Sequence, residues 1–518
     1  MPFLLFLSSA LLSIAFSPDR KIGLLEQLYE PRISLMHILL IQPSQYKDNH
    51  NLIYGEIGSI EHPPLGLAML AAVLLEAGFD IDIIDIDAEQ TSFEQILEMI
   101  ERKQTRLVGL SATTPIFNNA LRLAQMIKSS RPEVKTCVGG YHPSIDPLGS
   151  ISHESIDYVV KGEGERTIVE LARAVQAGAT PELLCSVKGL YFKNNGVPIA
   201  NPPRELIMDL DSLPMPARHL FKSHRYSYPD TKYTPVFPIF TSRGCPGKCT
   251  FCVQQKITGR VLRVRSAKNV ADEVELLISR YGAREIHILD DMFASNKKHI
   301  FELRDEFARR KLKIPLAFPT GIRVDTATPE VLEAMREMGG YSICFGVESG
   351  SQEILDRSKK GITLEQARRA VATAKSLGFE TWCFFLFGLM GETRETLEQT
   401  INFAIELDPD VAKFHIVKPY PGSEIYEEMQ KLGLILDFDY EHYAVYTYPV
   451  HRTEALSSEE IYQALQKAYR RFYFRPRVLF RHLIRLNSWN RVRNNISVGF
   501  RIIKMIIKNL LKQIKNNK

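Results

Sequence analysis

The sequence predicts an α/β protein: a doubly wound, Rossmann-like parallel sheet, then a partial (β/α)6 barrel, then a basic helical C-terminal tail. Three observations predict it. Short apolar strand runs alternate with amphipathic helix runs twice, from residue 36 to about 176 and from 235 to about 429. Between the two series lies a Pro-dense stretch, Leu213-Pro214-Met215-Pro216-Ala217, which reads as linker. After Glu460, the last acidic residue, residues 461–518 hold 15 Lys or Arg and no Asp or Glu.

A chain of 518 residues suggests about three domains, and 45% hydrophobic with 24% charged residues marks it as globular. Residues 2–16 are apolar but lack the basic start of a signal peptide and are short for a membrane span. The first convincing strand follows Met36 directly. Residues 1–35 therefore read as an extension ahead of the true start, with a short membrane anchor the lesser alternative.

From Met36 the order is strand 37–41, helix 64–77, strand 81–86, helix 93–102, strand 107–111, helix 118–129, and strands 136–138 and 158–160. Continuous apolar strands of this length suit a parallel sheet covered on both faces. In such sheets ligands sit outside the carboxyl ends of the strands. Those ends carry Ser111 and Thr113, then Gly139, Gly140 and His142, then Gly162 and Glu163. Small residues there let a large flat or phosphate-bearing ligand approach the backbone, and they equally suit tight turns. Residues 181–234 read as a bridge, with a hairpin around Asn195-Gly196.

In the second series, strands at 236–241, 285–289, 316–319, 342–347, 381–387 and 412–417 alternate with helices such as 270–281, 329–338 and 364–376. Six repeats make an incomplete barrel whose active site lies at the C-terminal strand ends. Those tips carry Asp290 and Asp291, Arg323, Glu348 and Ser349, and Gly388 and Glu392. An acid or arginine at any single tip is as readily a helix cap.

Just past the first barrel strand stand three of the seven cysteines, Cys245, Cys249 and Cys252, spaced C-x3-C-x2-C. Thiolates bind soft metals and iron–sulfur clusters, and short spacings let one loop wrap one inorganic core. Three thiolates on a four-iron cube leave one iron open to a substrate or cofactor. A zinc knuckle needs a fourth Cys or His nearby, whereas the next such residues are His287 and Cys344. The other cysteines, Cys137, Cys185, Cys344 and Cys383, are scattered, which argues against a disulfide framework and for a reducing compartment.

The cysteine spacing, Phe251 just before Cys252, and the preceding strand resemble the cluster loop of the radical S-adenosylmethionine (SAM) enzymes; the four tips, with a fifth at Pro419-Tyr420-Pro421-Gly422, together resemble that family's barrel. Residues 36–180 are similar to the cobalamin-binding domain that precedes the barrel in one large branch of the superfamily. The resemblance implies a division into 1–35, 36–180, 181–234, 235–430 and 431–518. It implies a [4Fe-4S] cluster on Cys245, Cys249 and Cys252, SAM on the open iron, and reductive cleavage of SAM to a 5′-deoxyadenosyl radical. It also implies Phe251 near the adenine, Asp290 or Asp291 at the methionine amino group, and Arg323 at the carboxylate. Glu348, with Ser349 beside it, falls at the ribose hydroxyls, and Gly388 and Glu392 at the fifth-strand tip, which lacks the family's earlier glycine. Cobalamin is implied over Ser111, Thr113, Gly139, Gly140, His142, Gly162 and Glu163. A D-x-H-x-x-G motif supplies a lower cobalt ligand in some cobalamin proteins. Here Asp48-Asn49-His50 is followed by Gly55, two positions late, so His50 reads as an exposed loop histidine.

The net charge of +5 divides unevenly: the tail carries +15, leaving fifty basic against sixty acidic residues before it. Its aliphatic residues recur at helical spacing, giving one apolar and one basic face that suit an anionic bilayer surface. Packing on the barrel is the alternative; nucleic acid is disfavoured because aliphatics interleave the charges. The sequence thus reads as a cobalamin-dependent radical SAM enzyme, cytoplasmic and peripheral on the inner membrane face. An external donor such as flavodoxin or ferredoxin would reduce it, and it would methylate an unactivated carbon of a hydrophobic small molecule. Alternatives are a radical cyclase or ring-rearranging enzyme of the tetrapyrrole-cyclase type, and an RNA methylthiotransferase, which needs a second cluster's cysteines. A non-catalytic cobalamin or redox sensor is the last.

Overall fold

In the computed structural model, which describes residues 36–44, 62–221, 226, 231–445, 447–478 and 480, the chain builds two sheets in succession. β1 (His37–Gln42) is the pivot of the first, with Ile38, Leu39, Leu40 and Ile41 fully buried. It pairs in parallel with β2 (Asp80–Asp85) on one side and β3 (Leu107–Ser111) on the other; β4 (Lys135–Gly139) and β5 (Tyr158–Val160) continue the parallel run. α1 (Leu65–Glu76) and α4 (Glu165–Gln176) cover one face, while α2 (Phe93–Lys103) and α3 (Phe117–Ser130) cover the other. Side chains from both faces of β1, β3 and β5 are therefore buried and mostly apolar, the pattern of a double-wound sheet. A capping box of Ser92 and Gln95 starts α2, so the sequence fixes that entry locally.

The first sheet does not end near residue 180. β6 (Leu190–Asn194) and β7 (Val197–Ala200) join it antiparallel at the β5 edge, turning through Asn195 and Gly196 at φ +50° and +80°. A three-residue β5 would leave an open edge, and the hairpin covers it. The bridge begins only after Ala200.

The second sheet is six-stranded and wholly parallel, in the order β15-β14-β13-β12-β11-β8. Its strands are β8 (Val236–Ile239), β11 (Glu285–Ile288), β12 (Leu316–Ile322), β13 (Gly340–Glu348), β14 (Glu380–Phe387) and β15 (Val411–Ile416). Just beyond β8, β9 (Ser242–Arg243) and β10 (Arg263–Val264) form a two-stranded antiparallel ribbon that frames the cysteine loop. α5 (Ala267–Tyr281), α6 (Lys297–Arg309), α7 (Pro329–Glu337), α8 (Leu364–Ser376) and α9 (Arg394–Leu407) form the outer layer. They bury one strand face, including Ile286, Phe318, Phe345 and Phe385, in a single core.

The tail divides. Its first part, expected at a bilayer surface, instead forms α10 (Ser458–Tyr473), which begins on a Ser457–Glu460 capping box and packs on the barrel. Ile461, Leu465, Ala468, Phe472 and Val478 are buried in the barrel core. Lys467 and Arg471 pair with Glu398 on α9, and Arg475 with Asp408, so these basic residues answer acids of the barrel. Residues 481–518, like 1–35 and His50, lie outside the described residues. Among the described residues no helix is long and apolar enough to cross a membrane.

Candidate functional site

The cysteine loop leaves the ribbon at Gly244, whose φ of +98° and whose closeness to Val261 leave no room for a Cβ: one would lie 2.2 Å from the Val261 carbonyl oxygen. Cys245 N–H donates to the Gly259 carbonyl (3.1 Å) and Cys252 N–H to the Cys249 carbonyl (3.2 Å), folding the loop back on itself. Gly247 stands where a Cβ would be 3.2 Å from the Cys245 sulfur and 4.0 Å from that of Cys249, so these two thiols turn toward one point. Gln254 N–H donates to the Cys252 sulfur at 3.5 Å. Burial raises all three thiols, Cys252 to about 11, so something must replace their protons before they act as thiolates. Among the described residues, no three His, Cys, Asp or Glu side chains are grouped about a single ion. A cube offers each thiolate its own iron and so suits three spread sulfurs better than zinc does.

Of the two tip aspartates, Asp290 faces inward. It accepts from Thr241 N–H (2.6 Å), Thr241 Oγ1 (2.5 Å) and Ser242 Oγ (2.7 Å), tying the end of β8 to that of β11. Asp291 faces the loop, accepting from Gln254 Nε2 at 2.6 Å; burial and the neighbouring Asp290 charge push it up to about 6. Glu348 takes the left-handed region at φ +68°, unusual for a non-glycine, and accepts from the buried Lys360 ammonium at 2.7 Å. Burial works against the Lys360 charge, but the Glu348 carboxylate, and then Cys249 in its thiolate form, hold it above the ordinary lysine value. Arg323 spends its fork on Asp325 and on the carbonyls of Lys360 and Gly361, which makes it a brace for this corner. Ser349 turns away to Thr400 Oγ1 (3.1 Å) and Ser351 N–H (3.2 Å). Phe251 packs against the small apolar cluster of Ile354, Leu389, Met390 and Ile425.

At the fifth-strand tip, Gly388 (φ +87°) donates its N–H to Glu392 at 2.5 Å, and its carbonyl accepts from His451 Nε2 at 2.8 Å. Glu392 is fully buried and also caps Leu389 N–H, so it shapes the tip from beneath. Burial pushes its carboxyl from 4.5 to about 8, against the two backbone N–H groups. A raised acid holds its proton more tightly in the folded state. Its contribution is therefore fully present below pH 4.5 and is lost as pH rises toward 8. We expect the wild type to lose stability between pH 5 and 8 relative to Glu392→Gln, by about 3 kcal/mol at pH 7. Thermal melts of both proteins across that range check it.

The strand ends of the first sheet form the opposite wall. Ser111, Gly139, Gly140, Gly162 and Glu163 line one cleft together with Arg243, Gln254 and Asp291 from the barrel. Its empty volume, open solvent included, is about 1150 Å³. Gly140 (φ +105°) has no space for a Cβ, which would lie 2.8 Å from the Ala112 carbonyl oxygen. Thr113 is exposed and lies off this lining.

Of the other expected ligand contacts, His142 faces away from the cleft, and Glu163 stands on its lining with its carboxylate already bound. His142 is buried between Phe117 (centroids 4.1 Å) and Tyr440 (4.6 Å), with Nδ1 3.3 Å from Thr114 Oγ1. It ties the first sheet to the segment after the barrel, because the short helix that opens at Gly140 turns its second residue inward. The first residue of that helix, Tyr141, is the one on the cleft. Glu163 is bound by arginines of the ribbon: Arg263 Nη1 donates to both its oxygens (2.8 and 2.9 Å) and Arg243 Nη1 to one (3.3 Å). Arg243 Nη2 also bonds Glu165 at 2.5 Å. This buried quartet clamps the cysteine loop to the first sheet; nothing in the acidic loop's sequence revealed its arginine partners 78 to 100 residues away.

Residues 53–172 match the B12 binding domain and residues 239–404 the radical SAM superfamily. Over 452 residues the chain is 36% identical to an uncharacterized methyltransferase of Pyrococcus horikoshii, covering 87% of this chain and 95% of that one. The chain belongs to the radical SAM enzymes that carry a cobalamin-binding domain. Its cofactors are accordingly a [4Fe-4S] cluster, SAM and cobalamin. It is also 30% identical to the anaerobic magnesium-protoporphyrin IX monomethyl ester cyclase of Rubrivivax gelatinosus, over 85% of this chain and 77% of the relative. Among solved structures, the cobalamin-dependent radical enzyme OxsB superposes with a TM-score of 0.70 at 18% identity, over 93% of this chain and 75% of that one. The methyltransferase TsrM from Kitasatospora setae superposes with a TM-score of 0.62 at 20% identity, over 77% and 75%.

Proposed function

We propose that this radical SAM enzyme transfers a methyl group to an unactivated carbon of an apolar small molecule, with its cofactors facing each other across the cleft. The observation that carries this is the shared lining: the strand-end glycines of the first sheet and Gln254 and Asp291 beside the cysteine loop bound one space. Cys245, Cys249 and Cys252 would hold the cluster. Asp291, the cleft-facing aspartate, would take the SAM amino group, and Glu348 the ribose. Gly139, Gly140 and Gly162 would lie under the corrin. When bound, the cluster supplies the electron that cleaves SAM and the corrinoid a carrier for the methyl group. The protein's part is positional. The Glu163–Arg263–Arg243–Glu165 quartet fixes the distance between the two walls, and Tyr141 narrows the space between them.

An apolar substrate is supported by the cleft lining itself, where Leu67, Met69, Leu70, Ile168 and Ile257 stand among the strand-end glycines. The reductant would be a one-electron donor of the flavodoxin or ferredoxin type. The 30% identity to a cyclase keeps ring closure as the second reading. Product analysis separates them. Anaerobically reconstituted protein is expected to bind hydroxocobalamin and, with reductant, SAM and substrate, to form both S-adenosylhomocysteine and 5′-deoxyadenosine. 5′-Deoxyadenosine alone, from a protein turning over substrate, would favour the cyclase.

A further inference from the structure

A side cavity opens off the cleft beside α1. It shares Met69, Phe240 and Arg243 with the cleft, reaches Leu213 of the bridge, and has an empty volume of about 460 Å³, open solvent included. Even with that solvent counted, the cavity is too small for the whole of a large bound molecule, so only a side arm of one could enter it. Arg218 lies on its wall, 5% exposed. Its Nη2 is spent, donating to the Pro238 carbonyl (2.7 Å) and to Glu273 (2.6 Å). Among the described residues, its Nε and Nη1, which carry three N–H groups, meet no hydrogen-bond partner. Unmade donors on a buried cation are costly, so such a side chain implies an acceptor. Nor is the local charge balanced. Arg265, on the same wall, also pairs with Glu273, leaving two guanidinium groups to one carboxylate.

We propose that Arg218 is the heart of an acceptor-oxygen subsite at the rim of the cofactor cleft, binding an oxygen on a side arm of the corrinoid. This rests on the cobalamin reading above. The oxygen is either an amide carbonyl of the corrin periphery or the phosphodiester of the nucleotide loop. Nε–H shares its edge of the guanidinium with the occupied Nη2, whereas Nη1 stands on the other edge with two N–H groups of its own, so Nη1 is the donor that suits one such oxygen.

The test titrates full-length reconstituted protein with hydroxocobalamin and with cobinamide, which keeps the corrin amides but lacks the phosphodiester. Arg218→Lys retains a charge beside Glu273 and loses Nη1; Leu213→Trp leaves the ion pairs intact and fills the cavity. Both variants are expected to bind hydroxocobalamin roughly ten- to a hundredfold more weakly than the wild type. An equal loss for cobinamide assigns an amide; cobinamide binding unchanged by either variant assigns the phosphodiester. Either variant binding both corrinoids as tightly as the wild type overturns the subsite and leaves the cavity to water. A wild type that binds neither overturns the cobalamin reading and the subsite together. Should Arg218→Lys fail to fold, Leu213→Trp alone decides by the same criteria.

Discussion

Replacing Cys245, Cys249 and Cys252 together by alanine is expected to abolish iron and sulfide binding and, with them, all reductive cleavage of SAM. The loop that carries them is held by backbone hydrogen bonds to Gly259 and within itself, and by the arginine–glutamate quartet, not by the thiols. The triple variant should therefore fold and melt close to the wild type. The three sulfurs are the soft donors of the loop, and the remaining cysteines cannot substitute: Cys137, Cys344 and Cys383 are buried in the sheets, and Cys185 ends the short helix Pro181–Cys185 of the first unit, off the cleft lining. Wild-type protein reconstituted under anaerobic conditions should hold about four irons and four sulfides. Iron and sulfide analysis, with 5′-deoxyadenosine measured after chemical reduction, checks both parts. SAM cleavage surviving in the triple variant would overturn the assignment of this loop.

The strand and helix order of both units was legible because β1, β3 and β13 are buried along nearly their whole length and read as apolar runs, while β2, β14 and β15 alternate at the strand period. What the sequence could not reveal was which side chain of a tip faces the ligand. At Gly139-Gly140-Tyr141-His142 the answer depends on a positive-φ glycine opening one turn of helix, which sends His142 inward and Tyr141 toward the cleft. At Asp290-Asp291 it depends on hydroxyls of Thr241 and Ser242, close in space but about fifty residues away in the chain. Glu163 had the composition of a ligand-binding loop, and its partners, Arg243 and Arg263, lie on the far domain. Long-range ion pairs of this kind leave no local pattern. The hairpin at residues 190–200 was seen as a hairpin but not as sheet, since edge pairing is decided by the length of the neighbouring strand.

A chain ending at Glu460 is expected to lose the barrel's cooperative fold, whereas one ending at Phe480 should keep it. The basic composition after Glu460 masked this, because a surface helix and a helix docked by its apolar face share the same periodicity. Docking is decided by what faces it. Ile461, Phe472 and Val478 are fully buried and Leu465 is 6% exposed, all in the core that also holds Phe385 and Phe414. Burying a side chain of this size contributes roughly 1.5–3 kcal/mol, so losing four costs on the order of 6–12 kcal/mol. That sum is an upper bound, since denatured chains already bury some surface, yet it is comparable to the whole stability of a domain, about 5–15 kcal/mol. The ion pairs to Glu398 and Asp408 add little by comparison, as exposed pairs contribute about 0–1 kcal/mol each. Thermal melts and SAM cleavage of the two truncated chains check the expectation. A chain of residues 1–460 that melts cooperatively near the full-length temperature would show that α10 is an appendage. The longer truncation also isolates the membrane question, because ten of the fifteen basic residues after Glu460 lie in residues 481–518. If those ten carry an attraction to anionic lipid, full-length protein sediments with anionic vesicles at low salt and the chain ending at Phe480 does not.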